Sequence, residues 1–272
     1  MPTIEAIASR AEAVDGVPAL DEATWRAVRS GEATVVRTQG AFALVRGAEL
    51  SLIVDPPVRG RGLGGALADQ VLAAHPQLTQ AWSHGNHPAA ARLAARHGWT
   101  RVRDLWVMRR ALTDSQSDPA LRNDVLLRRW SGSATDREEL LRVNAAAFAT
   151  HPEQGAMDAA DLAARMAEPW FDPAGLILAT DGVPDGRLLG FHWTKQHSPT
   201  VGEVYVVGVD PAAQGRGLGR LLTGAGLRHL AAQGVSEVLL YVESDNAAAI
   251  NTYSGLGFTH AAEDTHVMYA AR

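Results

Sequence analysis

Two stretches of this 272-residue chain carry residue types in a spacing that could do chemistry. The later one, Glu203 to Gly219, reads Glu-Val-Tyr-Val-Val-Gly-Val-Asp-Pro-Ala-Ala-Gln-Gly-Arg-Gly-Leu-Gly: an apolar run, an Asp-Pro stop, and a glycine-rich turn that opens a helix. The earlier one, Asp55-Pro-Pro-Val-Arg-Gly-Arg-Gly-Leu-Gly64, repeats every glycine, the inner arginine and the leucine of Asp210 to Gly219. A helix N-terminus presents unpaired backbone N–H groups and the positive end of the helix dipole, so an anion seated there gains several hydrogen bonds at once. In Gln214, Gly215, Arg216, Gly217, Leu218 and Gly219 the alternate glycines clear Cβ atoms from that approach, and Arg216 and Arg220 add positive charge. The pattern is neither a Gly-Lys-Ser/Thr P-loop nor the strict Gly-x-Gly-x-x-Gly dinucleotide fingerprint. One such turn alone is equally a glycine-rich helix cap. Its repetition favours a pyrophosphate seat built twice. Each copy follows a strand and Asp-Pro, and each precedes a strand, a helix and a Gly-aromatic tail, Gly98-Trp99-Thr100 or Gly257-Phe258-Thr259.

Other chemistries are excluded or disfavoured by composition. The chain has no cysteine, which removes disulfides, thiolate metal sites and a cysteinyl-enzyme intermediate. A net charge of −5 disfavours broad binding to nucleic acid or an anionic membrane. The histidines, among them His84, His87, His97, His151, His192 and His197, show no metal-ligand spacing, so no metal is expected. The N-terminal stretch has neither a charged n-region with an apolar h-region nor a long apolar run, and a cytoplasmic location is expected.

The elements that must position the glycine turns come in the same order twice, and the length allows two domains of roughly 130 residues each. In the first half, two short helices within residues 1–30 precede β-rich runs at Ala33 to Val36, Ala41 to Val45 and Leu50 to Val54. A helix follows at Leu63 to Ala74, a short strand at Ala81 to Ser83, a helix at Pro88 to His97 and a strand at Leu105 to Met108. Ala111 to Asp124 is polar and aperiodic and contains a proline. It divides the chain into residues 1–112, a linker at 113–124, and residues 125–272. The second half then runs from a strand at Val125 to Trp130 through the central strand Glu203 to Val209, the glycine-turn helix Leu218 to Ala232, a strand at Val238 to Val242, a helix at Ala247 to Tyr253 and a closing strand at His266 to Tyr269. Such an order implies an α/β fold, a mixed sheet flanked by helices in each half.

The glycine turn, Asn246 opening the next helix, Tyr253 within it and Gly257-Phe258 after it resemble the acetyl-CoA core of the GCN5-related N-acetyltransferases (GNAT). Within that family the second half resembles the tandem mycothiol synthases. The likeness lies in Asn144-Ala-Ala-Ala-Phe148, His151-Pro-Glu-Gln-Gly155, Gly190-Phe-His-Trp-Thr-Lys195, Glu203-Val-Tyr-Val-Val-Gly-Val209 and Leu240-Tyr-Val-Glu-Ser-Asp-Asn246. Val14-Asp-Gly-Val17 before Glu22 extends it into the first half.

The resemblance implies two tandem GNAT domains and transfer of acetyl from acetyl-CoA to the cysteinyl amine of cysteinyl-glucosaminyl-inositol by direct attack, in a monomeric protein that needs no metal. Glu203 then resembles the general base, acting through water, and Tyr253 the general acid for the coenzyme A thiolate. The backbone of Val207, Gly208 and Val209 would face the thioester. Gln214 to Arg220 would hold the pyrophosphate, and Asn246, Ala247, Ala248, Ala249, Ile250 and Asn251 would line the pantetheine arm. In the first half Leu52, Ile53, Val54, Gly60, Arg61, Gly62, Leu63, Gly64 and Gly65 are the matching cofactor positions. Glu22, Glu153, Lys195 and Tyr241, with Glu203, match positions that contact the sugar-inositol substrate. Aligned on the glycine turns and tails, Ala48 stands opposite Glu203 and Ala94 opposite Tyr253, so the first domain is expected to be catalytically silent. Two competing readings are a GNAT enzyme acetylating a protein N-terminus or another small amine, and a non-catalytic acyl-CoA-sensing module.

Overall fold

A computed structural model describes residues 2–112, 124–149, 154–183 and 186–271. The elements in chain order are α1 (Ile4–Asp15), α2 (Glu22–Ser30), β1 (Thr34–Thr38), β2 (Ala41–Arg46), β3 (Glu49–Val54), α3 (Leu63–Ala74), β4 (Gln80–Ser83), α4 (Pro88–Arg96) and β5 (Thr100–Ala111). They continue with β6 (Leu126–Arg129), α5 (Ala134–Ala147), α6 (Ala159–Met166), β7 (Leu176–Thr180), β8 (Leu188–Gln196), β9 (Val201–Val209), α7 (Leu218–Ala232), β10 (Glu237–Glu243), α8 (Ala247–Ser254) and β11 (Thr259–Ala270). Helix starts follow local side-chain chemistry: Thr3, Asp21, Ser133 and Asp158 each accept an N–H of the first turn.

The chain forms two compact units. The first comprises Met1–Val107, Glu243–Asp245 and His260–Arg272. Its strands β1, β2 and β3 form an antiparallel meander, β3 runs parallel to β4, and β11 lies antiparallel on the other side of β4. Side chains alternate across a strand, and β2 shows it clearly. Phe42 and Leu44 meet Ile4, Ile7 and Ala11 of α1, whereas Ala41, Ala43 and Val45 meet Leu67 and Val71 of α3. Each such fully buried large side chain contributes about 2 kcal/mol of burial free energy.

The second unit comprises Met108–Val242 and Asn246–Thr259. Here β6 to β9 are antiparallel neighbours and β10 runs parallel to β9. Leu176 and Leu178 of β7 face Leu140 and Val143 of α5, and Ile177 and Ala179 face Leu218 and Leu222 of α7. Helix α7 lies so close to β8 that a Cβ on Gly226 would collide with the His192 ring. That ring reaches Leu222 O at 2.8 Å, and burial pushes its pKa down to about 4, so it is neutral and donates from Nδ1.

The two units differ from the division at 112 and 125 by an exchange of strand ends. Residues 260–272 close the first unit, where β11 is registered Val267↔Ser83 and Tyr269↔Ala81. The end of β5 joins the second unit, where Leu112 N–H donates to Ser236 O at 2.8 Å and Arg109 pairs with Glu237 at 2.8 Å. Pairing across such sequence separation is set by tertiary contacts that local composition does not encode. Residues 113–123 of the expected linker lie outside the described residues.

Candidate active site

In the second unit β9 is paired with β8 along most of its length but with β10 only from Val201 to Val204. A bulge sets the change: Thr194 is opposite Val204 and Trp193 is opposite Val206, leaving Tyr205 as the extra residue. Beyond it the ladder to β10 lapses, so Val207, Gly208 and Val209 border a gap between two parallel strands. Gly208 admits no side chain, because a Cβ there would lie 2.6 Å from Phe191 Cε1.

The Asp-Pro stop that follows is clamped. Asp210 is buried; its Oδ1 accepts Ala212 N–H at 2.9 Å, and its Oδ2 accepts from Arg142 of α5 at 2.7 Å and Arg187 at 2.9 Å. The Arg142 guanidinium holds the Asp210 carboxyl below the usual carboxylate range. The first unit uses the same device with a different arginine: Arg10 of α1 grips Asp55 through both oxygens, at 2.8 and 2.6 Å. Neither arginine was anticipated from sequence, since each lies far along the chain from its aspartate.

After the clamp, Gly215 and Gly217 take φ of 76° and 74°, and Gly217 caps α7 without a side-chain hydrogen bond. A Cβ built on Gly215 or Gly219 would meet no heavy atom within 4 Å. An uncapped helix start with open space before it fits a phosphate. The flanking arginines are engaged within the fold: Arg216 pairs with Asp124 at 2.7 Å, and Arg220 donates to Gly255 O at 3.0 Å. Arg220 thereby ties α7 to the turn after α8.

Glu203 is buried on β9, and its Oε2 lies 2.6 Å from His197 Nε2. Lys195 of β8 is its direct cross-strand partner, so both side chains share one face of the sheet. The Lys195 ammonium sits 4.7 Å from the Trp170 ring centre and 5.5 Å from that of Tyr205, an aromatic seat for a cation. Arg165 adds a second cation, donating to Gln154 Oε1 at 3.1 Å and to the Tyr205 hydroxyl at 3.4 Å. Tyr241 lies two residues past Leu239, the residue registered with Glu203, and therefore shares that face.

On α8 the Asn246 side chain accepts Ala249 N–H at 3.1 Å, the N-cap expected of it, and Ala247 to Asn251 form the opening turns. Tyr253 packs edge-on against Phe258, with ring centres 5.9 Å apart, and burial pushes its phenol up to about 12.

The first unit presents the same frame of parting parallel strands and a glycine turn. Strands β3 and β4 are registered only at Glu49↔Gln80 and Leu50↔Ala81. Beyond that a cavity of about 600 Å³ opens, lined by Leu52, Ile53, Val54, the turn residues Gly60 and Gly62 to Gly65, and Ala94. Arg61 donates to Pro57 O at 3.4 Å. Ala48 lies in the turn before β3, and the Glu49 carboxylate is held by Arg46 at 3.1 Å. Glu22 stands in the first turn of α2, 3.8 Å from Arg26. Glu153 lies outside the described residues. No helix among the described residues is long and apolar enough to cross a membrane.

Comparison with known proteins agrees with this geometry. The Acetyltransferase (GNAT) family matches residues 140–258. A mycothiol acetyltransferase of Nocardioides sp. is 56% identical over 286 residues, covering 99% of this chain and 97% of that protein. Another from Nocardia farcinica is 56% identical over 222 residues, covering 80% of this chain and 72% of that protein. A GCN5-related N-acetyltransferase from Sphaerobacter thermophilus shares the fold at a TM-score of 0.73 and 22% identity, over 98% of this chain and 91% of its own. A tandem GNAT protein from the clavulanic acid biosynthesis pathway does so at 0.63 and 22% identity, over 87% and 81%. The chain belongs to the mycothiol acetyltransferase family of GCN5-related N-acetyltransferases.

Proposed function

We propose that this chain acetylates the cysteinyl amine of cysteinyl-glucosaminyl-inositol with acetyl-CoA, the last step of mycothiol biosynthesis, and that the second unit does the chemistry. The observation that carries the assignment is the buried Glu203 on the strand that parts from β10, with Tyr253 on the helix after it.

The amine nitrogen attacks the thioester carbon, its proton passes to Glu203, directly or through one water, and the C–S bond breaks with the electron pair on sulfur. A cysteinyl amine, with a pKa near 7 to 8, is already about a tenth or more neutral at pH 7, so a carboxylate is a sufficient base. Backbone N–H groups of Val207 to Val209 in the gap are the candidate donors to the oxyanion. Gln214 to Arg220 hold the pyrophosphate, and Asn246 to Asn251 flank the pantetheine.

The high Tyr253 pKa refines its part. A phenol near 12 keeps its proton across the working pH range and so has it to give to the departing thiolate. Tyr253 is therefore placed as the general acid: its hydroxyl proton goes to the coenzyme A sulfur as the C–S bond breaks, and solvent reprotonates the phenolate. Lys195, Arg165 and Tyr241 offer a polyhydroxyl ligand cations and hydroxyls on the Glu203 face. Glu22 and Glu153 are proposed as substrate contacts on the resemblance alone.

The first unit keeps the glycine turn and the cavity but has alanine at both proton-transfer positions. It is assigned acetyl-CoA binding without turnover. Incubating the protein with acetyl-CoA and cysteinyl-glucosaminyl-inositol tests the whole reading by mass spectrometry. The acetylated amide is expected; acetylation of a peptide N-terminus in its place would favour the protein-acetylating alternative.

A further inference from the structure

Glu203 has two carboxylate oxygens, and only one can serve the substrate amine. The other is engaged: Oε2 lies 2.6 Å from His197 Nε2, short enough for a charge-assisted hydrogen bond. His197 is two residues beyond Lys195 and is fixed by the β8–β9 turn. Its backbone N–H donates to Val201 O at 2.9 Å, and Ser198 Oγ accepts Val201 N–H at 3.1 Å. The carboxylate is buried, with 6% of its side chain exposed, whereas the imidazole is 32% exposed. Among the described residues the ring has no second hydrogen-bond partner. His197 stands one residue past the end of β8 and six residues before Glu203, so the turn brings the ring to this carboxylate oxygen.

We infer that His197 is a positioning residue for Glu203. Its Nε2–H donates to Oε2, fixes the plane of the carboxylate and leaves Oε1 as the proton acceptor. During the reaction the amine nitrogen bonds to the thioester carbon, its proton moves to Oε1, the C–S bond breaks and sulfur keeps the pair; His197 retains its own protons throughout. Without that donor the carboxylate is free to rotate away from the line of attack, and misplacement of this size is costly to turnover. The inference rests on the reading of Glu203 as the base.

The test compares kcat and KM of His197→Leu, His197→Gln, Glu203→Gln and the double variant that combines His197→Leu with Glu203→Gln, using acetyl-CoA and cysteinyl-glucosaminyl-inositol with product measured by mass spectrometry. His197→Leu is expected to lower kcat about 30-fold while leaving KM for acetyl-CoA within about twofold. His197→Gln, whose amide presents a neutral N–H near the place of Nε2, is expected to restore kcat to within about threefold of the parent. The double variant is expected to be no slower than Glu203→Gln, because the two side chains act as one unit. If His197→Leu lowers the melting temperature, His197→Asn, polar but too short to reach Oε2, replaces it and is expected to be equally slow. The inference is overturned if the donor-lacking variant turns over like the parent, if His197→Gln is as slow as it, or if the two losses multiply in the double variant. Parental turnover by Glu203→Gln would overturn the base assignment itself; a slow Glu203→Gln beside a normal His197→Leu would overturn only the role of His197.

Discussion

Lys195 and Glu203 are direct cross-strand partners on β8 and β9, so their side chains project from one face of the sheet. The pair divides the labour of the proposed site. Glu203 handles a proton, and Lys195, seated on Trp170 and Tyr205, offers charge to the sugar substrate.

Replacing Glu203 with Gln keeps the shape and removes the base. The expected outcome is a fall in kcat of about a hundredfold or more with KM for acetyl-CoA unchanged. Lys195→Met is expected to raise KM for the thiol-sugar substrate by about tenfold and to alter KM for acetyl-CoA little. Steady-state kinetics with each substrate varied in turn checks both.

Tyr253→Phe removes only a hydroxyl. It is expected to lower kcat by about a hundredfold to a thousandfold without loss of fold, the range for one donor to a developing anion. Because burial holds the phenol near 12, Tyr253 stays protonated across the working range and produces no alkaline fall in activity below about pH 10. The corresponding stability is fully present below the unfolded phenol value and is lost as pH rises through 12. A kcat–pH profile of the parent and the Phe variant is the measurement.

His192 makes stability depend on acid. Its folded pKa, near 4, lies below the unfolded value, so the unfolded chain binds the extra proton between about pH 6.5 and 4. Stability is therefore expected to fall by about 3 kcal/mol over that window from this group alone. Urea unfolding of the parent and of His192→Gln across the same range should show a shallower slope for the variant.

The Asp210 clamp is a stability element rather than a chemical one. Asp210→Ala leaves Arg142 and Arg187 without their shared carboxylate and uncaps the Pro211–Ala213 turn, with an expected loss of about 3 kcal/mol. Its pKa is depressed, so the contribution is present above the unfolded carboxylate value and fades as pH falls through the folded one. The difference in denaturant midpoint between parent and variant should be largest at neutral pH and shrink as pH falls below the unfolded carboxylate value.

Local pattern carried much of the fold. The two glycine-turn helices, α3 and α7, begin and end where apolar spacing and the glycines put them, and the Gln39-Gly40 hairpin follows from a turn that needs φ near 88° at Gly40. What stayed hidden depends on sequence-distant pairing: the exchange of β11 and the end of β5, the bulge at Tyr205, and the arginines that clamp Asp55 and Asp210. The site was legible only in part for the same reason. Glu203, Lys195 and Tyr241 share a face because of strand register, and His197 meets Glu203 because of a hairpin turn. Neither relation is visible in residue types alone. Also hidden were the partners of Arg216 and Arg220, Asp124 and the Gly255 carbonyl.

The central claim is that the second unit transfers acetyl to the cysteinyl amine while the first does not. The most direct measurement is formation of acetylated cysteinyl-glucosaminyl-inositol by the parent and by a variant carrying both Glu203→Ala and Tyr253→Phe, assayed together by mass spectrometry. The account predicts product from the parent and almost none from the variant, whose first unit is untouched. Equal product from both proteins would move catalysis out of the second unit and contradict it.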